Sequence, residues 1–147
     1  MKKIMPTTYL LIAIILSVGL HYLLPTKYLI PSPWNLFGLM PVIFGIWINL
    51  ITDKAFKKVN TTVKPFEETS SLLTDGVFQW TRNPMYLGFV AILLGIAICL
   101  RSLSPYIAVI LFIVLLDRLF IRVEEQMLEN EHGENWKEYR SKVRKWI

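Results

Sequence analysis

The chain has 147 residues, 54% of them hydrophobic and 13% aromatic, with a mean hydropathy of +0.45; this is too apolar for an ordinary small soluble domain and reads as one all-α membrane domain over 1–147. The net charge of +5 does not imply nucleic acid, because the basic residues flank apolar segments and form no aromatic-interleaved patch. A single cysteine, Cys99, excludes an intramolecular disulfide and any multi-cysteine metal site, and neither His21 nor His132 has a second His or Cys at ligand spacing, so no metal is expected.

In chain order, the first apolar run, 6–24, follows Met1-Lys2-Lys3 and is expected to cross a membrane. A cleaved signal peptide is the alternative, disfavoured by the length of the run and the lack of a clear small-residue cleavage site. A Pro-punctuated turn from Pro25 to Pro33 leads into a second span, 34–52. The stretch 53–84 then lacks a strong apolar period, and loops of that length in compact domains are usually functional or disordered. Its portion Leu72-Leu73-Thr74-Asp75-Gly76 is too apolar for a linker and is expected to form a folded lid or cofactor loop.

Two further spans, 85–100 and 105–120, are joined by a tight hairpin at 101–104. At about 1.5 Å per residue they only just cross about 30 Å of hydrocarbon. Beyond them, Leu116, Leu119, Phe120, Val123 and Met127 recur at helical spacing, with Arg118, Arg122, Glu125 and Glu129 on another face. The last span is therefore expected to continue as an amphipathic helix into a C-terminal region, 121–147. Gly133 should break it, and Trp136, Tyr139 and Val143 suggest a second short helix.

Four spans place Lys27 and Arg101 on one side and the other 14 of the 16 basic residues on the opposite side. This bias orients both termini and the central loop toward the cytoplasm. On that side stands Thr81-Arg82-Asn83-Pro84-Met85-Tyr86-Leu87-Gly88, at the mouth of the third span, with the pair Glu124-Glu125 downstream. A charge beside hydrocarbon is costly unless paired or used, so Arg82, Glu124 and Glu125 are candidate site residues. Pro84 suits a first helical turn, where its missing N–H costs nothing, and the helix end offers free donors to an anion. Tyr86 can stack or hydrogen-bond, and Gly88 permits a close approach.

Five pieces in order carry a family resemblance: Thr61-Thr62-Val63-Lys64-Pro65-Phe66, Leu73-Thr74-Asp75-Gly76, Arg82-Asn83-Pro84-Met85-Tyr86-Leu87-Gly88, Glu124-Glu125-Gln126-Met127-Leu128 and Tyr139-Arg140-Ser141-Lys142-Val143-Arg144-Lys145-Trp146. From about Asn60 onward the chain resembles the isoprenylcysteine carboxyl methyltransferase family in its small bacterial form, with phospholipid methyltransferases as relatives; the first two spans match only as apolar segments. The resemblance implies an enzyme of the bacterial inner membrane that uses S-adenosylmethionine on a lipophilic or lipid substrate. It implies cofactor binding by Arg82, Asn83, Pro84, Tyr86, Gly88, Glu124 and Glu125, with catalytic roles for Arg82 and Glu125. Two positions depart from the family: Asn83 stands where His is usual and cannot titrate, and Phe78 stands where Tyr is frequent.

The cofactor's ammonium and sulfonium call for carboxylates, and its carboxylate calls for Arg or a helix N-terminus, which Glu124, Glu125 and Arg82 supply. Each residue has a plainer reading. Arg82 can be a membrane-flanking anchor, Tyr86 an interfacial belt residue, and Glu124 and Glu125 a solvated face pairing with Arg122. A carboxylate acceptor would need no general base, whereas an amine would need one such as Glu125. The alternative functions are phospholipid amine N-methylation, a sterol- or enone-type reductase using NADPH, and a noncatalytic membrane scaffold; oligomeric state stays open.

Overall fold

Apolar residues at helical spacing, punctuated by proline, set the architecture. In a computed structural model, which describes residues 5–24, 26–58 and 72–147, the elements are α1 (Pro6–Leu23), α2 (Leu39–Lys58, preceded by a 3-10 turn at Trp34–Gly38), α3 (Pro84–Leu100), α4 (Pro105–Leu116) and α5 (Arg122–Lys142). Proline occupies the first turn of α1, α3 and α4, where no intrahelical N–H is lost. No strand longer than an isolated bridge between Tyr28 and Ser102 occurs among the described residues. The motif Thr61-Thr62-Val63-Lys64-Pro65-Phe66, together with Lys2, Lys3 and Pro25, lies outside them.

Two helical stretches, Pro6–Leu23 and Trp34–Lys58, are long and apolar enough to cross a membrane. The third expected span is apolar but has 17 residues, and the fourth is a helix of 12 that runs on through a π turn at Asp117–Ile121 into α5. The expected helix positions are therefore present, with two of the four reaching spanning length on their own. Outward-facing Leu11, Ile15, Met40, Ile43, Trp47, Ile110 and Leu111 give α1, α2 and α4 exposed apolar faces. Such contiguous apolar surface is unusual on a soluble monomer and suits hydrocarbon.

The expected boundary of the central loop needs correction. Residues 53–58 continue α2, because Ala55 and Phe56 pack on a cluster of Ile48, Val77, Phe78, Trp136 and Tyr139, and Asp53 pairs with Lys57 one turn on. Leu72 and Leu73 pack against the same cluster, so this part of the loop is folded, as its apolar composition implies. A second core joins Tyr86, Phe89, Leu93 and Ala97 of α3 to Val109, Phe112 and Leu116 of α4, with Phe120, Ile121 and Ala13. Gly133 (φ 51, ψ −118) breaks α5 at the expected position, turning Trp136 and Tyr139 inward.

At the other end of the bundle Arg101 adopts φ 71 and closes α3. Its side chain donates to the Ile30 carbonyl at 3.1 Å and lies 4.6 Å over the Tyr28 ring. His21 Nδ1 lies 2.7 Å from Ser102 Oγ, which ties α1 to the α3–α4 hairpin.

The closest helix pair is α2 against α3, and glycine makes it possible. Gly45 sits against the Gly88 carbonyl and Gly38 against the Gly95 carbonyl, so a methyl group at either crossing would collide with backbone. Gly88 and Gly95 thus pack helices within one chain. Replacing Gly45 or Gly95 by Ala should force α2 and α3 apart and cost about 1–3 kcal/mol. Gly19→Ala, with open space around it, should be neutral or slightly stabilising. Thermal unfolding in detergent checks the contrast; equal tolerance at all three positions would contradict the crossing.

Candidate functional site

The candidate site forms where α3 begins and the π turn hands over to α5. In that turn the Arg122 amide donates to the Asp117 carbonyl five residues back, and the added residue re-registers the helix, a frequent device at functional sites. Glu124 and Glu125, in the first turn of α5, thereby meet the start of α3. The Tyr86 hydroxyl donates to Glu124 Oε1 at 2.6 Å. Arg82 Nη2 lies 3.1 Å from Glu125 Oε1, with the two side chains only 8% and 12% exposed. The plainer reading in which the two Glu pair with Arg122 does not hold: Arg122 bonds Asp117.

Arg82 is only partly satisfied. Its guanidinium lies 5.7 Å from the Trp136 ring centre, its backbone N–H donates to the Arg144 carbonyl, and its Nε and Nη1 are buried with no hydrogen-bond partner. Trp136 is 1% exposed and its Nε1 is also without an acceptor. Buried donors left unmade cost about 1–3 kcal/mol each and call for an acceptor. On the other side of the site, burial pushes the Glu124 carboxyl up to about 7, the Tyr86 hydrogen bond pulling the other way.

A C-terminal segment closes the site from one side. The Lys145 carbonyl accepts from Thr81 Oγ1 at 3.1 Å and from Asn83 Nδ2 at 3.0 Å, while Lys145 Nζ reaches Asp117 at 2.8 Å and Glu125 at 3.9 Å. Thr81, fully buried, also accepts the Asn83 backbone N–H at 3.1 Å. Tyr139, its phenol pushed up to about 12 by burial, donates to the Phe78 carbonyl at 2.6 Å. Phe78 itself is buried edge-on to Phe56, its ring serving the core.

The seven sequence-derived candidates thus divide. Arg82, Tyr86, Glu124 and Glu125 converge, and Pro84 is the first residue of α3. Asn83 precedes α3 but makes no side-chain cap; its amide holds the C-terminal segment. The close approach that Gly88 permits is that of α2. Thr81 and Lys145, which lie within motif stretches but were not singled out as site residues, join the site together with Asp117 and Trp136, which lie in none; their contacts span 28 to 64 residues of chain.

Next to Tyr86 an apolar groove of about 410 Å³ opens between α1, α2 and α3. Met5, Pro6, Ile46, Leu50, Met85, Phe89 and Ile92 line it, with Thr7, Asn49, Asp53 and Tyr86 as its polar groups. Its size lies in the range of small-molecule sites, and the Oδ1 of Asn49 is buried there without a partner.

Removing the Asn83 amide leaves the Lys145 carbonyl short of a donor. Because Thr81 Oγ1 still donates to that carbonyl, Asn83→Ala should lower stability by about 0.5–1.5 kcal/mol, and Asn83→His, which keeps an N–H donor, should lower it less. Thermal unfolding of the two variants checks the order; the reverse order would contradict a structural role for Asn83.

The model of the phospholipid methyltransferase family matches residues 34–135, which include α2, Arg82, Tyr86, Glu124 and Glu125. The match therefore starts before Asn60, where the sequence resemblance was placed, and stops short of the C-terminal segment. Among curated proteins, the chain is 32% identical over 116 residues to the protein-S-isoprenylcysteine O-methyltransferase of Saccharomyces cerevisiae, covering 74% of this chain and 46% of that one. It is 33% identical over 75 residues to the protein of the same name in Schizosaccharomyces pombe, 49% of this chain and 30% of that one. An uncharacterised Haemophilus influenzae protein is 35% identical over 63 residues, all of its length and 43% of this chain. The chain spans less than half the length of the two named methyltransferases, and no solved structure matches it. With more than half of its residues matched, the chain belongs to the phospholipid methyltransferase family.

Proposed function

We propose that the protein is an integral membrane methyltransferase that uses S-adenosylmethionine to methylate a lipophilic acceptor. The observation that carries this reading is a buried Arg82 with two unpaired N–H groups beside Glu125, linked to an apolar groove by Tyr86, which lines the groove and donates to Glu124. Family membership supports methyl transfer over nicotinamide-dependent reduction. Four helical spans, both termini in the cytoplasm and residence in a bacterial inner membrane complete the proposal, supported by the exposed apolar faces and the placement of the basic residues.

The donor set fits the cofactor. Arg82 keeps two unmade N–H donors, on Nε and on Nη1, and either suits the cofactor's carboxylate as a charge-assisted bond, while Glu124 and Glu125 suit its ammonium and sulfonium. When bound, S-adenosylmethionine supplies an electrophilic methyl group on a cationic sulfur. The chain's own contribution is to hold Arg82 in place through Glu125 and Trp136, to exclude water by the clamped C-terminal segment, and to present the acceptor along the groove. A carboxylate acceptor arrives ionised and needs no base. An amine must shed a proton, and Glu124, pushed up to about 7, is better matched to take it than a carboxylate in the ordinary range.

Calorimetric titration of folded protein in detergent with S-adenosylhomocysteine tests the binding half of the reading. Wild type should bind, and Arg82→Lys, which keeps the charge but loses the planar set of N–H donors shared between Glu125 and the ligand, should weaken binding about tenfold or more. Absence of binding to folded wild type would overturn the proposal. Labelled methyl donor incubated with a lipid extract tests the acceptor half: label should enter the lipid fraction, and Arg82→Lys should abolish most of it.

A further inference from the structure

Tyr86 belongs to two environments. It lines the groove with Met85 and Phe89, its ring lies 6.1 Å from the Phe120 ring, and its hydroxyl donates at 2.6 Å to Oε1 of Glu124, a residue outside the groove lining. Among the described residues Glu124 has no other polar partner. The charged groups around it are engaged elsewhere: Arg82 with Glu125, Lys145 with Asp117 and Glu125, and Arg122 with Asp117. A glutamate with only one anchor owes its orientation to that anchor, since an unheld side chain of this length samples several rotamers.

From this we infer that Tyr86 is a positioning residue and not a contact for the cofactor: it pins Glu124 Oε1 against α3, leaves Oε2 to meet a cation beside Glu125, and joins the wall of the groove to that carboxylate. The identity of the cation rests on the methyltransferase reading; the Tyr86–Glu124 link does not. Tyr86→Phe keeps the ring and removes only the hydroxyl that anchors Glu124.

The anchor has a titration signature. Burial raises the Glu124 carboxyl and the Tyr86 bond lowers it, so loss of the hydroxyl should raise it further. An acid raised on folding favours the folded state in its protonated form. Its contribution is full below the unfolded value near 4.5 and is lost as pH rises through about 7.

Thermal unfolding without ligand, from pH 4.5 to 9, should show this decline in wild type, its displacement upward by about one pH unit in Tyr86→Phe, and its absence in Glu124→Gln. Binding of S-adenosylhomocysteine to Tyr86→Phe should be several-fold weaker than to wild type near pH 7, the gap closing toward pH 9 as Glu124 ionises in both; the comparison cancels the ligand's own titration. An unchanged midpoint in Tyr86→Phe, or a loss of affinity equal at every pH, would overturn the inference. If folded wild type binds no S-adenosylhomocysteine, the methyltransferase reading falls, while the ligand-free titration still decides whether Tyr86 governs Glu124.

Discussion

The ion pair between Arg82 and Glu125 is the constraint on which the site depends. Two charges only 8% and 12% exposed forfeit hydration, and the loss is offset only if each is held at good geometry. Several distant devices bring the two charges together, although Glu125 Oε1 makes no hydrogen bond of its own. Pro84 starts α3 directly after Arg82, and the π turn sets Glu125 at the right register. Gly133 redirects α5 so that Trp136 lies against the guanidinium, and the C-terminal segment accepts the Arg82 backbone N–H. The pair is nevertheless incomplete, since two N–H groups of Arg82 stay unmade. A buried arginine poised in this way is suited to receiving an anion.

The neighbouring groove gives this polar site its counterpart. Its wall is mostly aliphatic and aromatic, and it lies between helices whose outer faces are themselves apolar. Tyr86 stands at the boundary, lining the groove and donating to Glu124. Methyl transfer between a charged donor and a greasy acceptor requires such a boundary, because neither solvent suits both reactants. Glycine pairs at the α2–α3 crossing bring the groove's two long walls together. The packing that makes the site therefore depends on small residues that carry no charge themselves.

Helix positions were legible because proline, glycine and apolar periodicity act locally. Arg82 and the Glu124–Glu125 pair were legible as charges at the ends of apolar runs. What the sequence could not show depends on contacts between remote segments. Asn83 drew attention as a missing titratable group, yet its amide serves a carbonyl 62 residues away. Gly88 read as a place of close approach, and the partner that approaches is α2, which only the packed structure identifies. The end of α2 was placed too early because residues 53–58 are polar enough to resemble loop, while the cluster that holds Phe56 is assembled from α5 and residues 72–78. Trp136 carries no motif, and only the kink at Gly133 brings it beneath Arg82.

A structure determined with S-adenosylhomocysteine bound tests the central claim most directly. The account predicts its carboxylate on one of the N–H groups of Arg82 that are unmade here, Nε or Nη1, and its amino group against Glu124 and Glu125, with the Arg82–Glu125 pair retained. A cofactor seated elsewhere, with those two N–H groups of Arg82 still unpaired, would contradict it.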